Sequence, residues 1–260
     1  MMKVLLTGSA GFIGTNFINL YKDVYDIIEI DRKTGKEVVS IDLSDCIGVK
    51  HIVHLAAVSG IQACEDDKKQ AIKDNIMAVE HIKYLSMDLN IPVTFASSQA
   101  AKDGTNTYSF TKMVGEETLL SGVKSACILR LSNVYGGLNY LETKTSVVSK
   151  FINAVRNEEP IFVTGDGTQT RDFIHVDDIC EAIHKSIQLE EKSNMILDIG
   201  TGVKTSIWDL AKMISPESIL YYKNYVNIGV ESNVADTSEA EKILGFKAEK
   251  TLKEYLKSVK

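Results

Sequence analysis

The 260-residue chain is long enough for one large α/β domain, or for an average domain carrying a smaller lobe, and needs neither metal nor disulfide to build a core. With 44% apolar and 25% charged residues it excludes the collagen-like, disordered and disulfide-scaffold classes, and no apolar run nears the roughly 20 residues that span a bilayer. A net charge of −6, only four arginines (Arg32, Arg130, Arg156, Arg171) and no dense basic block argue against nucleic acid as a partner. The four cysteines, Cys46, Cys64, Cys127 and Cys180, are widely spaced without Cys/His clustering, so they read as buried apolar groups in a reducing compartment, with no metal site. The apolar stretch after Met1-Met2-Lys3 stops at Thr7-Gly8, too short for a secretory signal, and a cytoplasmic location is expected.

Short β-rich apolar runs alternate with amphipathic helical patterns along the first two-thirds of the chain. Strands are predicted at Lys3–Leu6, Asp26–Ile30, His51–Leu55, Pro92–Ser97, Ser125–Leu131 and Met195–Ile199, and helices at Phe12–Tyr21, Gln70–Met87, Tyr108–Leu120 and Asp177–Leu189. This order predicts an α/β fold, a doubly wound parallel sheet of Rossmann type. A helix at Ser146–Asn157, a strand at Ile161–Val163, a helix at Ser206–Ile214, a Tyr-rich run at Tyr221–Tyr225 and a terminal helix from Leu252 predict a small α+β substrate lobe. The expected division is residues 1–135 with 176–200 for the dinucleotide-binding domain, and 136–175 with 201–260 for the lobe.

Thr7-Gly8-Ser9-Ala10-Gly11-Phe12-Ile13-Gly14 joins the first strand to the first helix, where glycines permit a tight turn and close approach of a ligand. Amides at that helix N-terminus suit a pyrophosphate. Asp31, seventeen residues past Gly14 at the end of the second strand, suits the two hydroxyls of an adenosine ribose and repels a 2′-phosphate. Arg32 beside it could accept that phosphate, but the carboxylate argues harder, so NAD is expected over NADP.

Tyr108 and Lys112 lie one helical turn apart, so an ammonium there would lower the phenol's pKa and make it a usable acid/base. Ser97-Ser98 ends the fourth strand at the carboxyl edge, where doubly wound sheets bind ligands, and His54-Leu55-Ala56-Ala57 ends the third with small residues that leave room for a cofactor. His54 and His175 read as packing and turn residues, and Trp208 as lobe core.

TGSAGFIG, Asp31, Asp42-Leu43, HLAA, the double serine, YSFTK with Glu116, Arg130-Leu-Ser-Asn133-Val-Tyr-Gly136, and the segment Gly165 to Asp178 occur in one order. Together they resemble the extended short-chain dehydrogenase/reductase family, specifically its NAD-dependent nucleotide-sugar epimerase/dehydratase branch. The resemblance implies that Tyr108 is the catalytic acid/base on a sugar hydroxyl. Lys112 would hold the nicotinamide ribose, and Ser98, rather than Ser97, would bind the reacting oxygen. It implies cofactor contacts at Gly8, Gly11, Phe12, Ile13, Gly14, Asp31, Arg32, Leu55, Ala56 and Ala57, and an adenine contact at Asp42 and Leu43. Substrate contacts follow at Ser98, Tyr108, Asn133 and Arg171, with Asn75 as a support and Arg171 on the pyrophosphate.

Dehydratases of the branch carry an acidic pair after the catalytic serine or threonine, whereas this chain has Gln99 and Ala100. A 4-epimerase needs only the tyrosine, lysine, serine and NAD, so C4 epimerisation of a nucleoside-diphosphate sugar is expected. A reductase, a dehydratase or a non-catalytic NAD sensor are the alternatives. Ser98 and Tyr108 stand ten residues apart, where the family has about two dozen, which would open the sugar pocket. Upstream of Ala235-Asp236, where a second phosphate-binding arginine is usual, the chain reads Tyr-Val-Asn-Ile-Gly-Val. A homodimer through Gln70–Met87 and Tyr108–Leu120 is the family's usual state.

Overall fold

A computed structural model describes residues 1–143, 146–190, 193–217, 220–223 and 232–259. Its first half runs β1 (Met2–Thr7), α1 (Phe12–Tyr21), β2 (Tyr25–Ile30), β3 (His51–His54), α2 (Ile61–Asp66), α3 (Lys68–Ile72), α4 (Ala78–Leu89), β4 (Val93–Ser98), α5 (Thr107–Leu120) and β5 (Ala126–Leu131). The second half follows as β6 (Asn133–Tyr135), α6 (Val147–Arg156), β7 (Ile161–Thr164), β8 (Thr170–Arg171), β9 (Phe173–His175), α7 (Val176–Gln188), β10 (Met195–Ile199), β11 (Thr205–Ser206), α8 (Ile207–Ile214), β12 (Leu220–Lys223), β13 (Ser232–Asn233), α9 (Ser238–Leu244) and α10 (Leu252–Ser258).

Six parallel strands make the main sheet in the order β10-β5-β4-β3-β1-β2, the six predicted from sequence with ends moved by a residue or two. Alternate residues of each central strand point to opposite faces, and both faces are covered. Val4, Leu6, Val53 and Leu129 pack under α1 and α7, while Leu5, Ile52, Phe95 and Ile128 pack under α4 and α5. The chain direction across β1 reverses between β2 and β3, which opens the crevice at the carboxyl ends of the strands where a dinucleotide binds in such sheets.

The helix expected over Gln70–Met87 is present and runs from Lys68 to Leu89, with a π-helical turn inside it. Residues Lys73–Met77 form a π-helical turn between α3 and α4, and α2 precedes it as a separate short helix. Inside the turn, the buried Asn75 side chain exchanges hydrogen bonds with the backbone of Val58 (2.8 and 3.0 Å) and donates to Thr111 Oγ1 (3.0 Å). That contact ties the loop after β3 to α5.

Beyond the sheet, β6 pairs with β9, β7 with β12, and β11-β8-β13 form a small three-stranded sheet. Tyr135, Tyr140, Phe151, Ile161 and Leu210 centre their own core, separate from the two that sandwich the main sheet. Two expectations change here. The segment carrying α9, assigned from sequence to the lobe, packs Ala240, Leu244 and Phe246 into the core under α7 instead. Trp208 is only half-buried on the outer side of α8, with Lys212 over its ring, because Ile207 and Leu210 take the inward positions. Of the Tyr-rich run, Tyr221 and Tyr222 lie in β12, whereas Tyr225, like all of Tyr-Val-Asn-Ile-Gly-Val, lies outside the described residues.

Candidate active site

Three adjoining cavities run along the carboxyl edge of the sheet. The first is lined by Gly8, Gly11, Asp31, Arg32, Val38, Val39 and Leu55 to Val58, the second by the glycine loop with Ser98, Tyr108 and Lys112. The third continues from Ser98 and Tyr108 to Asn133, Arg171 and Asn233 in the lobe. Shared walls make them one groove.

The glycine loop fits a pyrophosphate for reasons of space. Gly8 has φ +72°, and a Cβ there would stand 2.7 Å from the Ala56 nitrogen, so the loop rests directly on the end of β3. At Gly14 a Cβ would stand 2.2 Å from the Gly8 carbonyl oxygen, so only glycine lets α1 start this close to the loop. Gly11 caps α1 without a side chain and lines both of the first two cavities, leaving the amides of the helix N-terminus open to an anion.

Asp31 sits at the far end of the first cavity. Its carboxylate accepts from the backbone amides of Lys33 (2.8 Å) and Ala10 (3.1 Å), one on each oxygen, which fixes its plane and leaves each oxygen able to accept a ribose hydroxyl. Asp42 and Leu43, expected at the adenine, do not line this cavity. The Asp42 carboxylate closes its own turn on Ser44, and Leu43 is half exposed; Val38 and Val39 wall the adenosine end instead.

Tyr108 opens α5, whose start is fixed by a capping box between Asn106 and Ser109. One turn on, the buried Lys112 ammonium donates to the Ala96 carbonyl (2.8 Å) and lies over the Phe95 ring. Burial brings its pKa down to about 8 against the pull of Cys64 and Glu116. The expected lowering of the phenol is not seen. Burial raises the Tyr108 pKa, a hydrogen bond shared with Ser98 draws it partly back, and Lys112 is aimed at a backbone carbonyl rather than at the phenol.

The two serines separate cleanly. Ser97 is buried and donates to Glu116 (2.5 Å), whose carboxylate also receives both Nε (2.9 Å) and Nη2 (2.5 Å) of Arg130. Ser98 lies beside Tyr108 at the junction of the second and third cavities and caps the short turn at Ala100.

Arg171 lines the third cavity, its pKa lowered by burial, and donates to the Thr170 carbonyl (2.8 Å). It does not pair with Asp172. That carboxylate is fully buried and accepts from the amides of Thr201, Gly202 and Ala235 and from the Thr201 hydroxyl, fastening β8 to the end of β10. Asn133 stands exposed at the same cavity. His54 is buried against Thr7 (2.7 Å) and stacked on Phe95, its pKa brought down to about 3 by burial; His175 caps α7. Both make the packing and turn contacts expected of them from sequence.

The structure adds Ser132, Asn233 and Asp74, which the sequence reading passed over. The Ser132 hydroxyl is buried between the second and third cavities with no hydrogen-bond partner among the described residues. Its place inside Arg130-Leu-Ser-Asn133 was the available signal, as was that of Asn233 just before Ala235-Asp236. No Asp or Glu lines the third cavity among the described residues.

A family model described as "NAD dependent epimerase/dehydratase family" matches residues 4–200. The chain belongs to this family. Among its relatives, a putative UDP-glucose 4-epimerase of Methanocaldococcus jannaschii is 30% identical over 300 aligned positions, covering 98% of this chain and 96% of that one. A dTDP-D-glucose 4,6-dehydratase of Homo sapiens is 27% identical over 299 positions, covering 94% and 84%. The structure of MoeE5 in complex with UDP-glucose and NAD superposes with a TM-score of 0.88 at 26% identity, covering 98% of this chain and 96% of that one. The membership makes NAD the cofactor.

Proposed function

We propose that the protein is an NAD-dependent 4-epimerase of a nucleoside-diphosphate sugar, and that UDP-glucose is the first substrate to test, on the likeness to the methanogen protein and to MoeE5. The observation that carries the choice of reaction is the third cavity: Tyr108 and Ser98 reach it, and no carboxylate does among the described residues. Dehydration needs an acid and a base to expel water from the sugar; Gln99 and Ala100 stand where the dehydratases of the family keep them. Epimerisation at C4 needs neither.

In this reading NAD, when bound, supplies reversible hydride acceptance at the sugar C4. Tyr108 takes the proton from the C4 hydroxyl and returns it, and Ser98 holds the same oxygen by a hydrogen bond. Lys112 orients the nicotinamide ribose, and its ammonium, charged at neutral pH, favours the phenolate that burial opposes. Gly8, Gly11 and Gly14 with the start of α1 (Phe12, Ile13) receive the cofactor pyrophosphate, Asp31 the adenosine ribose, and Leu55, Ala56 and Ala57 line the path between. Asn133 and Arg171 bind the sugar-nucleotide pyrophosphate, Arg171 by its planar pair of donors. The lobe around residues 136–175 thus serves the substrate.

Proton NMR of the purified protein with UDP-glucose or UDP-galactose tests the reaction. Interconversion that is lost in Tyr108→Phe is expected; a silent protein supplied with NAD and a panel of UDP-, dTDP-, GDP- and CDP-hexoses would refute it.

We further infer a homodimer. Ile72, Met77, Tyr84 and Met87 on α3 to α4, and Phe110 on α5, are each about half exposed, an apolar stripe that a second copy would cover in a four-helix contact. Light scattering that reads a monomer at micromolar concentration would remove this. Four free, buried cysteines support a reducing, cytoplasmic setting, and no described helix is long and apolar enough to cross a membrane.

A further inference from the structure

Arg32 follows Asp31 directly and lines the first cavity, so by sequence it is the cation best placed to take the 2′-phosphate of NADP. The structure gives it another partner. Its Nη2 is paired with the Asp74 carboxylate, which reaches the cavity from the π-helical turn on the opposite wall. The pair is asymmetric: Asp74 is 7% exposed, whereas the Arg32 side chain is half exposed. Pulling Arg32 away would therefore strand a buried carboxylate, which is the expensive way to break an ion pair.

Two further cations, Lys33 and Lys73, stand on the wall. Lys73 is held by Glu37 at 2.7 Å, and the Lys33 ammonium reaches the Ala10 carbonyl at 3.4 Å. Arg32, Lys33 and Lys73 are balanced by Asp31, Glu37 and Asp74, so the cavity presents no net positive charge to a dianionic phosphate.

We propose that Asp74 is a cofactor-selecting residue, which withholds Arg32 from the 2′-phosphate and so makes the site refuse NADP. Asp31 repels the phosphate directly; Asp74 removes the cation that would compensate. The proposal rests on the NAD site and not on the sugar chemistry, so failure of the epimerase reading leaves its test untouched.

Wild-type protein and the variants Asp74→Asn and Arg32→Ala/Asp74→Asn are to be produced with NAD and NADP present at equal concentration. The bound dinucleotides are then released by acid and quantified by chromatography. Wild type should hold NAD almost alone. Asp74→Asn should raise the NADP-to-NAD ratio by about tenfold or more, the size of one freed charge-assisted contact. The double variant, which carries no stranded charge and is the more secure to fold, should return to within about twofold of wild type. A wild-type protein that holds both dinucleotides equally, an Asp74→Asn ratio that does not move, or a gain that survives in the double variant would overturn the proposal. Should Asp74→Asn fail to fold, the double variant decides alone: a ratio well below wild type would mean that Arg32 already serves the phosphate.

Discussion

Lys112 is a buried amine whose titration can be read in the folding equilibrium itself. Its pKa falls from 10.5 to about 8 on burial. At roughly 1.4 kcal/mol per unit, folding works against this group by about 3 kcal/mol wherever the amine is charged in both states, that is, below pH 8. Between pH 8 and 10.5 the unfolded chain binds more protons than the folded one, so stability rises with pH across that window and the penalty disappears above it. Urea titrations of the cofactor-free protein and of Lys112→Met at pH 7 and pH 10.5 isolate the effect, because every other titrating group is common to both. Wild type should gain about 3 kcal/mol on the variant between the two pH values. The lost hydrogen bond to Ala96 adds only a constant offset. Parallel pH profiles for the two proteins would refute the burial argument.

The paired serines give a second contrast. Ser98→Ala should lower kcat by about 10²-fold with little change in the urea midpoint, whereas Ser97→Ala should act on stability through the Glu116 and Arg130 network, by about 1 to 2 kcal/mol; equal kinetic losses would erase the assignment. Asp172→Asn turns an amide N–H toward backbone N–H donors that now share the carboxylate, and should cost about 2 to 4 kcal/mol in urea unfolding; a loss under about 0.5 kcal/mol would mean that this carboxylate does not fasten the lobe.

All six sheet strands were legible because strands buried on both faces read as short apolar runs between turn residues, and a boundary error of one residue does not change the pattern. The glycine loop, Asp31, Ser98, Tyr108 and Lys112 could be singled out because each belongs to a local motif, and the structure brings them to one groove. What escaped is non-local. The resemblance marked Asn75 as a support, but nothing near it in sequence announces the π-helical turn in which it sits. Arg32 and Asp74 meet only after the sheet has folded, and their pairing changes what Arg32 means. Periodicity marks a residue as apolar without saying which side of a short helix faces in, and Trp208 was placed on the wrong one. Direction of a shift is no easier: the spacing of Tyr108 and Lys112 fixes their proximity, but the desolvation that dominates both depends on how the folded chain buries them.

The π-helical turn at Lys73–Met77 also acts as a phase shifter. One extra residue in a single turn rotates everything downstream by roughly 100° relative to what lies before it. Within the turn, Asp74 lines the first cavity and Asn75 bonds Val58 and Thr111; downstream, Val79, Ile82 and Leu85 lie on the sheet while Tyr84 and Met87 stay outward. A regular α-helix of the same sequence could satisfy one pattern or the other. Deleting a residue within the turn would straighten the helix and set these two faces at odds, so the length of this stretch is tied to both contacts.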